Sequence, residues 1–345
     1  MTIFPRLFLG AALAACALAA QAGLGLATVP GVQGDNPVTV FYPTAQADAV
    51  VQRGPFTLAA AEDAPAARGN GRLVVFSHGT GGNAWVHTDL ARTLVAAGFV
   101  VAVPLHRGDN AFDHANPGPD SWKMRPAEVS RAIDAVAASP RFTGLLEVQR
   151  VGVYGLSAGG HTALTLAGGR WSPSRFVRHC EAHIADDFPF CVGLITALKG
   201  DAFDAVKKKL ALMVIRQRFD DSAWYTHQDV RVQAVVATVP AAAVFDPASL
   251  ATPRVPLALV TAGRDKWLAP SLHSGTILAA CMPRCTLLAD LPSAGHGSLL
   301  SPPPPLDRLG EIAADLLGDP PGFDRAQVAA ANRSVASFFT RHLVP

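Results

Sequence analysis

The sequence has little charge, and neither sign dominates. Charged residues make up 16% of 345, and 29 Lys and Arg face 27 Asp and Glu, a formal net charge of +2. No basic stripe points to nucleic acid, and no acidic block reads as a solvating tail. Cysteine is scarce, at five residues. No internal repeat and no long linker divides the chain. Proline and glycine are plentiful, at 27 and 30, but they lack the period of collagen. Hydrophobic residues make up 50%, which excludes disorder and is enough for one large α/β domain or two small ones.

The N-terminal stretch MTIFPRLFLGAALAACALAAQAG has one early cation, Arg6, then an apolar run from Leu7 to Ala20. It ends in Ala20-Gln21-Ala22, a small-x-small cleavage site. Residues 1–22 therefore read as a secretory signal peptide and 23–345 as the mature domain. The run is short for a membrane span. Inside it, Leu13-Ala14-Ala15-Cys16 resembles a lipobox. Two expectations stand: periplasmic or secreted release after cleavage, or membrane anchoring through a lipidated Cys16.

Four cysteines remain in the mature domain: Cys180, Cys191, Cys281 and Cys285. An even number in an exported protein implies disulfides. The local pairs Cys180–Cys191 and Cys281–Cys285 are the expectation among three connectivities. His179 and His183 beside Cys180 complete no recognisable zinc pattern, so no metal is expected.

Apolar runs alternate with helical periodicity along the rest of the chain. Val38–Tyr42, Leu73–Ser77, Phe99–Val103, Arg150–Tyr154, Ala234–Thr238, Pro256–Thr261 and Cys285–Leu291 read as strands. Helices are expected over 89–97 with Thr88 as N-cap, from Pro126 onward, over 158–167 and over 324–343. This alternation predicts a mostly parallel sheet with helices on both faces. In such sheets the ligand site lies beyond the carboxyl ends of the strands. The interval of about 171–230 breaks the alternation. It is helical and charged, and it reads as a lid-like insertion. Its apolar run Leu210–Ile215 suits an acyl or aromatic pocket, or core packing.

At those carboxyl ends lie residues able to do chemistry. VYGLSAGG places Ser157 between a strand and a helix, in the pattern of a nucleophile elbow. Gly155 and Gly159 sit where side chains would collide in so tight a turn. The Ala158 amide opens the helix, where N–H groups are unsatisfied. A serine needs a base, and the base needs an orienting carboxylate. Asp265 in TAGRD and His296 in SAGHG follow in the required order. Asp246 in VFDP is the rival acid. His161, on the elbow helix, suits core packing, and His273 a surface helix. His87, His106 and His114 sit in loops that could line a pocket. FSHGTGG ends a strand in glycines, and its Thr80 amide is the second donor of an oxyanion hole, beside that of Ala158.

FSHGTGG, YGLSAGG, AGRD and AGHGS together resemble the α/β-hydrolases. They are closest to the branch of dienelactone-hydrolase-like and platelet-activating-factor-acetylhydrolase-like serine esterases. VTVFYPT and MRPAEVSRAIDAV resemble the opening strand and the helix before the elbow in that branch. The resemblance implies a triad of Ser157, Asp265 and His296 and an oxyanion hole at Thr80 and Ala158. It implies hydrolysis of a small-molecule or lipid-like carboxylic ester through an acyl-enzyme, with no cofactor. Dienelactone hydrolases proper use cysteine where Ser157 stands. Pro302–Pro305, just after His296, have no motif role and read as a rigid wall near the pocket. The alternatives are a non-catalytic binding protein on the same fold, or an amidase, lactonase or polyesterase with the same triad.

Overall fold

A computed structural model describes residues 23–345. The signal-peptide and Cys16 expectations fall on residues 1–22, outside the described residues.

The chain opens with two hairpins. β1 (Gly23–Val29) pairs antiparallel with β2 (Val38–Thr44), and β3 (Ala49–Arg53) with β4 (Phe56–Glu62). Sequence patterning found only β2 among these. β1 (GLGLATV) and β4 (FTLAAAE) are rich in Gly and Ala, which have low strand preference. They are strands because their backbones are paired along their length.

The alternating unit follows: β5 (Leu73–Ser77), α1 (Thr88–Ala96), β6 (Val100–Pro104), α2 (Pro119–Ala138), β7 (Val151–Leu156) and α3 (Ala158–Leu166). Next come β8 (Arg170–Trp171), α4 (Pro173–His183), α5 (Phe188–Val192) and α6 (Asp204–Arg218). The chain closes with β9 (Val232–Thr238), β10 (Phe245–Asp246), β11 (Leu257–Ala262), α7 (Ser274–Cys281), β12 (Thr286–Leu291), α8 (Glu311–Leu317) and α9 (Ala326–Leu343).

One ten-stranded sheet runs β12-β11-β9-β7-β5-β6-β2-β1-β4-β3. From β6 to β12 its neighbours are parallel. Strand side chains alternate between faces. Leu73 and Val75 of β5 therefore join a core with Val129 and Ile133 of α2, while Val74 and Phe76 join one with Leu90 of α1 and Phe339 of α9. Gly152 lets α9 approach β7, since a Cβ there would lie 2.7 Å from the Phe339 ring.

Two helix boundaries differ from the sequence reading. α2 begins at Pro119, not Pro126, so Pro126 lies inside it. An internal proline costs a helix about 3 kcal/mol. The burial of Trp122 on the upstream turns offsets part of that cost. Thr88 is the first residue of α1 rather than its cap, and its hydroxyl donates to the Trp85 carbonyl.

α4 to α6 occupy the irregular interval. Disulfides join Cys180 to Cys191, across α4 and α5, and Cys281 to Cys285. No described helix is long and apolar enough to cross a membrane. Closing loops of 11 and 4 residues restricts the unfolded chain by about 3 and about 2 kcal/mol. Cys180→Ala/Cys191→Ala is expected to lower unfolding free energy by the larger amount, and the other pair by the smaller. Urea titration with and without reductant checks both.

Candidate active site

Ser157 occupies a backbone conformation that side chains rarely adopt, with φ 59° and ψ −118°. Such a residue costs about 1–3 kcal/mol and persists only where its surroundings fix it. They do so with hydrogen bonds. Its N–H donates to the Thr238 carbonyl at 3.0 Å, and its carbonyl accepts from the Ala241 and His161 amides, each at 3.0 Å. Close packing does the rest. A Cβ on Gly155 would lie 1.9 Å from the Gly159 carbonyl oxygen, and one on Gly159 would lie 1.8 Å from that of Ser77. Gly160 meets the backbone of Pro240 in the same way. The helix can approach the sheet only because these three positions lack side chains.

Asp265 and His296 come from neighbouring loops at the carboxyl end of the sheet. Gly263 donates to the Leu291 carbonyl and Arg264 to that of Ala294, which ties the two loops together. Asp265 Oδ1 accepts the Trp267 and Leu268 amides, both at 2.8 Å. Its Oδ2 accepts from His296 Nδ1 at 2.7 Å. Both side chains are buried. A carboxylate only accepts, so the proton sits on Nδ1 and Nε2 keeps its lone pair. Nε2 has no hydrogen-bond partner among the described residues. No hydrogen bond joins it to Ser157 Oγ among the described residues. Gly297 lets this loop close against Leu317, whose carbonyl oxygen a Cβ would meet at 2.0 Å.

The loop after β5 lies against the serine: a Cβ on Gly79 would be 3.4 Å from Ser157 Cβ. Among the described residues, neither the Thr80 nor the Ala158 N–H has a partner. A buried ionic cluster shapes the loop. Asp109 accepts from the Gly81 amide at 3.0 Å, and from Ser121 Oγ and Arg125 Nη2 at 2.8 Å each. Arg125 Nη1 donates to the His78 carbonyl at 2.5 Å. Arg125 and Asp109 are both fully buried. Beside them, Ser77 Oγ donates to His106 Nε2 at 2.7 Å, and His106 Nδ1 donates to Glu128 at 2.6 Å. These are the groups of a second serine–histidine–acid chain, but burial seals all three.

The other sequence candidates fall elsewhere. Asp246 pairs with Arg170 at the surface and is not a partner of His296. His161 is in the core, stacked on Trp122, as expected. His87 and His106 are buried beneath the loop rather than lining an open pocket, whereas His114 lies against Gly81. Ser301, just before the proline run, bonds to Val86 and Asp89, so that run is moored to the start of α1.

His273 departs most from expectation. It is buried, not at the surface. Its Nδ1 accepts the Ala242 amide at 2.9 Å, and its Nε2 donates to Asp187 Oδ2 at 2.8 Å. His179 Nε2 donates to the same oxygen at 2.7 Å, and the Ala269 amide donates to Asp187 Oδ1 at 3.0 Å. Two histidines and a carboxylate so close resemble a metal site. The Ala242 amide, however, puts the His273 proton on Nε2, leaving no lone pair for a cation there. The cluster is instead a buckle that joins α4 and α5 to the Asp265 loop and to the segment behind Ser157. Burial pushes the Asp187 pKa up, but hydrogen bonds from His179 and His273 hold it well below the usual carboxylate range.

The fold is that of the α/β-hydrolases. No family model matches the sequence, and no curated protein matches it either. Among solved structures, a ferulic acid esterase from Streptomyces cinnamoneus superposes with a TM-score of 0.60 at 19% identity. The match covers 95% of this chain and 92% of that one.

Sequence reasoning missed Asp109, Arg125, Glu128 and Asp187. One signal was available: Arg125 and Glu128 fall on the same apolar face of α2 as Val129 and Ile133, where a charge needs a buried partner.

Two predictions follow from the buried polar groups. Asp187→Ala leaves the His273 N–H and the Ala269 amide without acceptors and should lower stability by about 3 kcal/mol, read by urea unfolding. Burial lowers the pKa of His78, His87, His106 and His161, that of His87 to about 4. The unfolded chain then binds more protons below its histidine pKa of about 6.5. Stability should be at its plateau above that pH and fall as the pH drops toward 4, each histidine adding up to about 1.4 kcal/mol per pH unit. His87→Phe should flatten the slope of the urea midpoint against pH by one histidine's share.

Proposed function

We propose that the chain is a serine hydrolase of carboxylic esters. Ser157 is the nucleophile, His296 the general base and Asp265 its orienting acid. The observation that carries this reading is the buried Asp265–His296 pair at 2.7 Å, with Nε2 left as a base on the same sheet edge as the strained Ser157. The ferulic acid esterase likeness in fold supports ester cleavage. The motifs FSHGTGG, YGLSAGG, AGRD and AGHGS favour the dienelactone-hydrolase-like and platelet-activating-factor-acetylhydrolase-like branch.

In this reading His296 Nε2 takes the hydroxyl proton as Ser157 Oγ attacks the ester carbonyl. The Thr80 and Ala158 amides receive the oxyanion, each worth about 3 kcal/mol of barrier. The imidazolium, steadied by Asp265, protonates the departing alcohol. His296 then takes a proton from water, which attacks the acyl-enzyme, and returns it to Ser157 Oγ as the acyl–oxygen bond breaks and the acid leaves. Residues of about 171–230 form a lid-like insertion within a single 23–345 domain, and export after loss of 1–22 accords with the two disulfides.

Ser157→Ala should reduce turnover of a short-chain nitrophenyl ester by at least about 10⁴-fold and abolish labelling by a fluorophosphonate. Circular dichroism should be unchanged. Undiminished turnover by a folded Ser157→Ala protein overturns the reading. A native protein that neither turns over esters nor labels is a binding protein on this fold.

A further inference from the structure

The apolar run in α6 does not face a pocket. Phe203, just before the helix, is 71% exposed, and Val206, Leu210, Met213 and Val214 are 52%, 54%, 58% and 53% exposed. Ile215 and Phe219 point the other way, into the core, with Ala211 and Leu212 beside them. At about 100° per residue the five exposed side chains form a stripe roughly 100° wide, directly opposite the packed face. A buried helix needs no such stripe, and a solvated one does not favour it.

Charge flanks the stripe on both sides. Lys209 and Arg216 border one edge, and Lys207 and Arg218 the other. Across the helix five cations accompany one acid, Asp204, which pairs with Lys207; Glu181 pairs with Arg216 and Asp120 with Arg218 at the surface, and Lys208 and Lys209 have no acid partner among the described residues. The preceding loop adds two more apolar groups, Leu194 and Ile195, the latter 88% exposed. It is folded onto the helix start by Lys207 Nζ on the Ala197 carbonyl and by the Lys199 and Gly200 amides on Asp204. The Cys180–Cys191 disulfide braces α4 and α5, against which α6 packs.

This charge pattern discriminates between occupants. Phe203, Val206, Leu210, Met213 and Gln217 have the spacing of a two-stranded helical seam. A second copy of α6, however, would bring the unpaired Lys209 against the cations of its partner, an arrangement of like charges. A negatively charged surface meets no such repulsion.

We propose that α6 docks the protein on an anionic phospholipid surface. Phe203, Val206, Leu210, Met213 and Val214 enter the acyl boundary, and Lys209 meets the headgroups first, with Arg216 and Arg218 able to exchange their exposed surface pairs for phosphate. Vesicle binding is read without turnover, so it is independent of the ester chemistry proposed above.

The test is co-sedimentation of the full mature chain with vesicles of phosphatidylcholine alone and of phosphatidylcholine with phosphatidylglycerol. Binding is expected to the anionic vesicles and to weaken with salt. Leu210→Asp/Met213→Asp should cut it more than tenfold, while turnover of a soluble ester and the circular dichroism spectrum stay unchanged. Lys209→Gln, a milder surface change, should cut it about fivefold. Equal binding to both vesicle types overturns the proposal, as does binding to neither. So does a dimer in light scattering that Leu210→Asp/Met213→Asp dissolves, which would assign the stripe to a second copy.

Discussion

Everything at the candidate site depends on how closely α3 approaches the sheet. The turn at Ser157 forces a side-chain-bearing residue into a positive-φ conformation. That costs about 1–3 kcal/mol, and it is held by a hydrogen bond to the Thr238 carbonyl and by hydrogen bonds from the Ala241 and His161 amides. Those bonds form only if the α3 backbone sits almost on β5 and β7. Gly155, Gly159 and Gly160 permit this because a Cβ at any of them would overlap backbone atoms. The position of the serine is thus a consequence of missing atoms around it as much as of its own chemistry.

An open hydrogen-bonding position separates two otherwise similar chains of groups. Ser77, His106 and Glu128 are hydrogen-bonded in the order serine, imidazole, carboxylate. Burial lowers the His106 pKa well below its ordinary value and raises that of Glu128. With no open face, the trio braces the loop after β5. Asp265 and His296 use the same chemistry but leave Nε2 without a hydrogen-bond partner among the described residues. Arg125 and Asp109 belong with the bracing role. Their pairing inside the core gains little net stability, but it sets the path of Gly79 to Gly81 beside Ser157.

The helical segment between α3 and β9 is not a detached appendage. Asp187 receives hydrogen bonds from His179 in α4, His273 before α7 and the Ala269 amide. Ala269 follows the residues that cap Asp265, and the Ala242 amide held by His273 follows the one bonded to Ser157. One carboxylate therefore connects this segment to both halves of the candidate site. The outer face of the same segment carries the apolar stripe of α6.

Local chemistry was legible in the sequence. The alternation of apolar runs and helical periods is set by residues near one another in the chain, and it determined the parallel sheet and its helices. The elbow glycines, Asp265, His296 and the local cysteine pairs stood out for the same reason: short spacing carries their geometry. What tertiary structure decided depends on distant partners. β1 and β4 are strands only because neighbours pair with them. His273 is buried because Asp187, 86 residues away, accepts its proton. The orientation of Leu210 and Met213 was open until packing chose which face of α6 to cover. A sequence records which groups are available; burial, which no short window encodes, determines which of them face water.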